Sequence, residues 1–168
     1  QSPSSAASDV YKRQGYNFRN KSLIKTALTH SSFSKENKIK NNERLEFLGD
    51  RVLGLIISSE IFKKNLFSTE GELAKQQSFL VCKTTLKKVA NNIKLREFVN
   101  CTQSLKKNSL DSVIANTLEA LIAAIYLDSN FNQASKIVLK LWKSFLENIN
   151  LSSFDPKSKL QELSLIHI

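Results

Sequence analysis

Asn42-Glu43-Arg44-Leu45-Glu46-Phe47-Leu48-Gly49-Asp50 threads three carboxylates through an otherwise apolar run. On a helix at about 100° per residue, Glu46 and Asp50 lie one turn apart on one face, with Glu43 within about 60° of Glu46. Leu53 and Ile57 continue that stripe, while Leu45, Leu48, Val52, Leu55 and Ile56 cover much of the remaining circumference. The spacing therefore predicts a helix running through the protein interior. Carboxylates at the edge of a core are costly unless a cation neutralises them, and two on one face are natural ligands for a hard divalent ion. A competing reading has Glu43 and Glu46 merely complementing the positive N-terminus of the helix.

A second segment favours the metal. Ile114 to Asp128 is another nearly all-apolar stretch, and it carries Asn116 and Glu119 at i, i+3 on one helical face. Ala120 and Ala123 lie on the same side, where small residues let two helix backbones approach closely. That approach would bring Asn116 and Glu119 to Glu46 and Asp50 as a four-ligand oxygen site.

With both blocks in view, the chain resembles the ribonuclease III family. Asn42 to Asp50 matches that family's signature letter for letter, and Glu119 to Asp128 resembles its second acidic block. The likeness extends from Gly15-Tyr16 and Ala27-Leu28-Thr29-His30-Ser31 to Gln161. It implies an all-α endonuclease domain that cuts double-stranded RNA as a homodimer, in RNA processing, with Mg²⁺ as cofactor and Mn²⁺ as a substitute. By matching positions, Glu46, Asp50 and Glu119 become the catalytic metal ligands, and Glu43 and Glu70 auxiliary acids of the cleft. At Asn116 the family pattern has aspartate. An amide oxygen still coordinates Mg²⁺, but as a neutral dipole it holds the ion more weakly. Ala123 replaces a glycine of the pattern, and Arg51 a small residue. By helical angle Arg51 lies near Arg44, away from the carboxylates, so the pair reads as structural or interfacial.

Both ends read as foreign. Asp9 to Gln14 can be encoded by GATGTGTATAAGAGACAG, whose reverse complement translates as Leu163 to Ile168. The pairing resembles the inverted mosaic end of a transposase-based sequencing adapter. Residues 1–14 and 163–168 are accordingly expected to be non-native tails that pack against nothing. Residues 15–150 form the expected catalytic domain. Residues 151–162 read as a linker and the truncated start of a double-stranded-RNA-binding domain, since Asp155 to Glu162 resembles the opening of that domain and Pro156 biases Asp155 away from helix.

The chain has 25 Lys+Arg against 15 Asp+Glu, a formal charge of +10 with acids concentrated in the two core helices, which implies a polyanionic partner. The basic clusters are Lys35, Lys38 and Lys40, then Lys83, Lys87 and Lys88, then Lys106 and Lys107. Lys35, Lys38, Lys40, Lys106 and Lys107 are the candidate RNA contacts. His30 is the only histidine between the tails, which excludes a zinc site built on several His and weakens any Ser-His or Cys-His scheme. It is expected to close the first helix through backbone hydrogen bonds. Cys82 and Cys101 form no Cys-x-x-Cys, consistent with two reduced thiols and a cytoplasmic location. No apolar run is judged to approach the roughly 20 residues of a membrane span. Neither a membrane nor a small-molecule cofactor is expected.

Four Gly, two Pro and no alternating strand pattern of useful length predict an almost purely helical chain. The expected helices are 21–28, 43–64, 70–81, 84–92, 109–127 and 131–148, with capping boxes at Thr69/Glu72 and Asn130/Gln133. Segments 31–42 and 100–108 are expected as polar, basic loops. The implied chemistry is two-metal hydrolysis without a protein nucleophile, each domain cutting one strand, so that a two-fold dimer leaves short 3′ overhangs. Leu48, Val52 and Phe47 are candidates for the dimer contact. Asn116 motivates the competing function, a catalytically impaired ribonuclease III-like RNA-binding or scaffold protein. A small helical hydrolase acting on nucleotides would also use paired acids, but it does not account for the literal signature.

Overall fold

The computed structural model describes residues 16–37, 39–102 and 107–149. Lys38, Lys106, both expected tails and the 151–162 segment lie outside them. Among the described residues every named element is helical, with one isolated bridge, Thr29 to Asn100, and no strand.

Two long helices carry the fold: α3 (Glu43–Lys64) and α6 (Lys107–Asp128), each of 22 residues and so about 33 Å long. They pack on each other more extensively than any other pair. Leu53 and Ile57 from α3, and Leu118 and Leu121 from α6, are fully buried. Each contributes about 1.5–3 kcal/mol of apolar transfer free energy. Around this pair stand α1 (Lys21–Ala27), α4 (Glu70–Val81), α5 (Lys83–Asn92) and α7 (Phe131–Leu141). The short α2 (Ser31–Asn37), a 3-10 turn (Leu95–Phe98) and α8 (Lys143–Glu147) complete the described chain.

Local chemistry sets the boundaries. Thr69 caps α4 in a full capping box, its backbone N–H donating to Glu72 Oε2 at 2.7 Å while Glu72 N–H donates back to Thr69 Oγ1 at 3.4 Å. Asn20 caps α1 through Ser22 N–H, and Asn130 caps α7 through Gln133 N–H. Ahead of α1, the chain is tied to the end of α6 at one carboxylate. Asp128 accepts from Tyr16 Oη at 2.5 Å and from the Arg19 and Asn20 N–H groups at 2.8 Å each.

Five expectations are corrected. Segment 31–42 is not all loop, because Ser31–Asn37 is helical. His30 starts that helix rather than closing the one before: its Nδ1 accepts from Ser32 N–H and its carbonyl from Ser34 N–H. The expected 131–148 helix breaks at Trp142, which is fully buried and donates its indole N–H to Leu80 O, a carbonyl in the last turn of α4, at 2.8 Å. Nor is α3 buried all round, since Phe47 and Leu55 are 69% and 57% exposed, whereas Val52 is core. Finally, Ser109–Asp128 is long and apolar enough, at a mean hydropathy of 1.5, to pass for a membrane span. Its place at the centre of the helical fold, with 61% of that window buried, accounts for its composition.

Candidate metal centre

The centre lies where α3 crosses α6, and a glycine makes the crossing possible. Gly49 faces the Glu119 backbone so closely that a Cβ at position 49 would sit inside the Glu119 carbonyl. Ala120 and Ala123 are fully buried on α6, but Gly49 is the point of closest approach. Its neighbours in sequence, Glu46 and Asp50, are thereby held beside Glu119.

The electrostatics report that proximity. Glu119 is pushed up to about 7, chiefly by burial and then by the charges of Asp50 and Glu46. Glu46 is also raised, by burial first, with Glu43 and Asp50 adding to the rise and two neighbours opposing it: a hydrogen bond from the Asn116 side chain and the Lys83 ammonium. Four of the expected ligands, Glu46, Asp50, Asn116 and Glu119, thus meet across the α3–α6 crossing. Glu43 stands at the margin, exposed and accepting from Asn41 Nδ2 at 3.2 Å. Glu70 is elsewhere in the chain. It opens α4 beside Ser58, Phe62 and Gln77, and Ser58 is twelve residues, about 18 Å, along α3 from Glu46.

Two further side chains bear on these acids. The Asn116 amide lies beside Glu46 and favours its charged form, which the aspartate of the family pattern could not do as a carboxylate. Arg51, expected to point away, reaches back: its Nη1 lies 3.0 Å from Asp50 Oδ2, with the guanidinium carbon 5.9 Å above the Phe47 ring centre. Helical angle fixes where Cβ starts, and the long arginine stem covers the difference. Among the described residues no three His, Cys, Asp or Glu side chains close around a single point. The donor set nonetheless fits a hard divalent cation: three mutually repelling carboxylates and one amide, at least two of them partly desolvated.

Asn42, first residue of the signature, is buried. Its backbone N–H donates to Thr29 O at 2.9 Å, and its Nδ2 donates to Thr117 Oγ1 at 3.4 Å, tying the entry of α3 to the middle of α6. Its structural role depends on partners distant in sequence, Thr29 and Thr117, and so leaves no local signal. Of the basic candidates, Lys35 and Lys40 are exposed and Lys107 begins α6. Lys83, grouped by sequence with Lys87 and Lys88, lies on α5 where its charge acts on both Glu46 and Glu119.

Comparison with known proteins agrees with this geometry. The profile of a family described as Ribonuclease-III-like matches residues 20–145. Ribonuclease 3 of Rickettsia felis is 42% identical over 157 residues, covering 90% of this chain and 70% of that protein. Ribonuclease 3 of Rickettsia prowazekii is 43% identical over 154 residues, covering 88% and 68%. The nuclease domain of ribonuclease III from Campylobacter jejuni superposes with a TM-score of 0.75 at 38% identity, over 82% of this chain and 96% of that one. Dicer from Pichia stipitis superposes at 0.64 and 25% identity, over 79% and 58%. The chain belongs to the ribonuclease III family and is an endoribonuclease of that type.

Proposed function

We propose that the protein cleaves double-stranded RNA by Mg²⁺-dependent hydrolysis as a homodimer, leaving short 3′ overhangs. The observation that carries this reading is the convergence of Glu46, Asp50 and Glu119, whose mutual repulsion a divalent ion relieves. Mg²⁺ bound there, or Mn²⁺ in its place, supplies an attacking water of lowered pKa and charge stabilisation for the leaving 3′ oxygen. The chain's own part is to hold the donors. Gly49 sets the distance between the two helices, Asn116 orients the Glu46 carboxylate, and Glu119 must give up its proton to serve as ligand. Exposed Lys35 and Lys40 supply duplex-phosphate attraction, and recognition follows the shape of the shallow minor groove.

The dimer reading rests on α3. Phe47 stands exposed at a groove of about 1130 Å³ lined also by Leu23, Ile39, Leu48 and Leu127. A two-fold partner would offer the same ring and the same groove, the self-complementarity an isologous interface requires. The related Campylobacter jejuni nuclease domain is described as having a region involved in dimer formation. Within one chain Glu70 is remote from the acids, so its expected service as an auxiliary acid belongs to the assembled dimer.

The alternative is an RNA-binding protein that does not cut, and the engagement of Asn116 with Glu46 and of Arg51 with Asp50 is what favours it. Incubation with labelled duplex and single-stranded RNA, in Mg²⁺ and in chelator, separates the two. The expected result is duplex cleavage in Mg²⁺ alone, abolished in Glu46→Ala, Asp50→Ala and Glu119→Gln while duplex binding in Ca²⁺ persists. Turnover in chelator would refute the metal mechanism, and binding without cleavage at any Mg²⁺ concentration would establish the alternative.

A further inference from the structure

Three cations lie on or beside the elements that carry or flank the carboxylates, and two are already engaged in ion pairs. Arg51 pairs with Asp50. Lys87, on α5, pairs with Asp111 near the start of α6 at an Nζ to Oδ2 distance of 2.5 Å. Lys83 lies one turn before Lys87 and about 40° from it, so the face of α5 that the Lys87–Asp111 pair docks onto α6 also carries Lys83. Lys83 is exposed and closes no ion pair among the described residues. Its ammonium is nonetheless near enough to Glu46, on α3, and to Glu119, on α6, to act on both.

Helix stability does not explain this lysine. Lys83 is the first residue of α5, where a cation opposes the positive end of the helix dipole, and no acidic residue in that first turn compensates it. A residue that breaks a local rule without a local gain points to a use elsewhere. Here the use is at hand: an uncommitted positive charge at the rim of a phosphodiester-cleaving centre.

We propose that Lys83 is a further catalytic residue of this cleft, whose ammonium contacts a non-bridging oxygen of the RNA phosphate being cut and stabilises the negative charge that builds there. It gives up no proton and forms no bond; the hydrolysis itself remains the attack of water and departure of the 3′ oxygen. The inference rests on the reading of Glu46, Asp50 and Glu119 as the cleavage centre. It carries a consequence that a structural role would not. Lys83 and a divalent ion neutralise the same carboxylates, so removing the lysine should favour the metal and hinder the reaction.

Lys83→Gln and Lys83→Arg, made in the whole chain, test this by three measurements. In RNA-free protein, calorimetric titration with Mn²⁺ should show tighter binding in Lys83→Gln, by about two- to fivefold. Single-turnover cleavage of duplex RNA at saturating Mg²⁺ should fall by about ten- to a hundredfold, and Lys83→Arg should restore most of it. Duplex affinity in Ca²⁺, which needs no turnover, should fall by about two- to fivefold. Tighter metal with slower cutting is the signature. Cleavage by Lys83→Gln at or above the wild-type rate overturns the proposal, as does unchanged duplex affinity in a chain that cannot cut. Glu119→Gln run alongside separates the two readings. If Glu119→Gln is inactive and Lys83→Gln is not, the centre stands and Lys83 falls; if Glu119→Gln cuts normally, the centre itself is misplaced.

Discussion

Asn116 has opposite consequences with and without metal. Restoring the acid by Asn116→Asp adds a fourth like charge to Glu46, Asp50 and Glu119 and removes the amide hydrogen that Glu46 accepts. In metal-free protein this should cost about 1 kcal/mol of folding stability, seen as a lower urea midpoint. With Mg²⁺ the same change should lower the concentration needed for half-maximal cleavage, because a carboxylate replaces a neutral ligand. If neither metal binding nor cleavage improves, residue 116 is not a ligand. Glu119 gives a pH test. Its folded value, about 7, lies above the ordinary 4.5, so the unfolded chain releases this proton first as pH rises. Its contribution to stability is therefore full below about pH 4.5, is lost as pH rises toward 7 and changes little beyond. Metal-free melting temperatures should show that component, and Glu119→Gln should remove it. That Glu46, Asp50, Asn116 and Glu119 share one helix crossing was legible from spacing, because helical angle fixes Cβ directions; their expected service as metal ligands rests on the family resemblance and on the mechanism proposed above. The grip of Arg51 on Asp50 and the Asn116 amide's effect on Glu46 were not legible from spacing, since the far ends of long or polar side chains are placed by what lies across the interface.

The helices themselves divide in the same way. Glu43–Lys64 and Glu70–Val81 appear at the expected bounds because their signals are local: apolar periodicity in one, a Thr69/Glu72 capping box in the other. Ser31–Asn37 had no such signal, since Ser-Ser-Phe-Ser-Lys-Glu-Asn is a poor helix former. It is held by side-chain-to-backbone bonds, Ser34 Oγ to Ser31 O and Asn37 Nδ2 to Phe33 O, and by the His30 ring. Trp142 breaks a continuous periodicity for a tertiary reason, the Leu80 carbonyl across the core. The α3–α6 crossing was foreseen through the alanines of α6, whereas the closer contact is Gly49 of α3, whose role is invisible until the partner backbone is in place. Two glycines then make a contrasting pair. Gly49→Ala forces Cβ into a backbone carbonyl that cannot swing aside, so the helices must part, at a cost of about 2–3 kcal/mol and with weaker Mn²⁺ binding as Glu119 moves from Glu46. Gly71→Ala meets nothing within 4 Å and should stabilise α4 by up to about 1 kcal/mol. Equal denaturation midpoints for the two variants would refute the close-approach argument.

The whole molecule buries α6 and leaves α3 unfinished. The first fact accounts for the apolar composition of α6, because a helix at the centre of the fold, mostly buried against its neighbours, needs apolar faces along its length. The second leaves Phe47, Leu55 and Phe62 exposed along α3, with Leu66 and Phe67 just beyond it. Apolar side chains on that scale mark an interaction face, and the groove beside Phe47 gives the face both a projection and a recess. Leu48 and Phe47 keep their place as dimer candidates, while Val52 belongs to the core. One chain brings together one acid cluster, and under the proposed mechanism each cluster cuts one strand, so paired cutting would need two copies. Phe47→Glu should therefore leave the fold intact, since the side chain it replaces is 69% exposed, but convert a dimer to a monomer in light scattering. The ring also supports Arg51, so the variant's Mn²⁺ affinity is measured alongside to separate loss of assembly from disturbance of Asp50. The expected outcome is metal binding within about twofold of wild type and loss of double-strand cleavage that rising protein concentration partly restores. A monomer that still makes paired cuts, at a rate independent of its concentration, would show that the two strands are not cut by two copies of this centre.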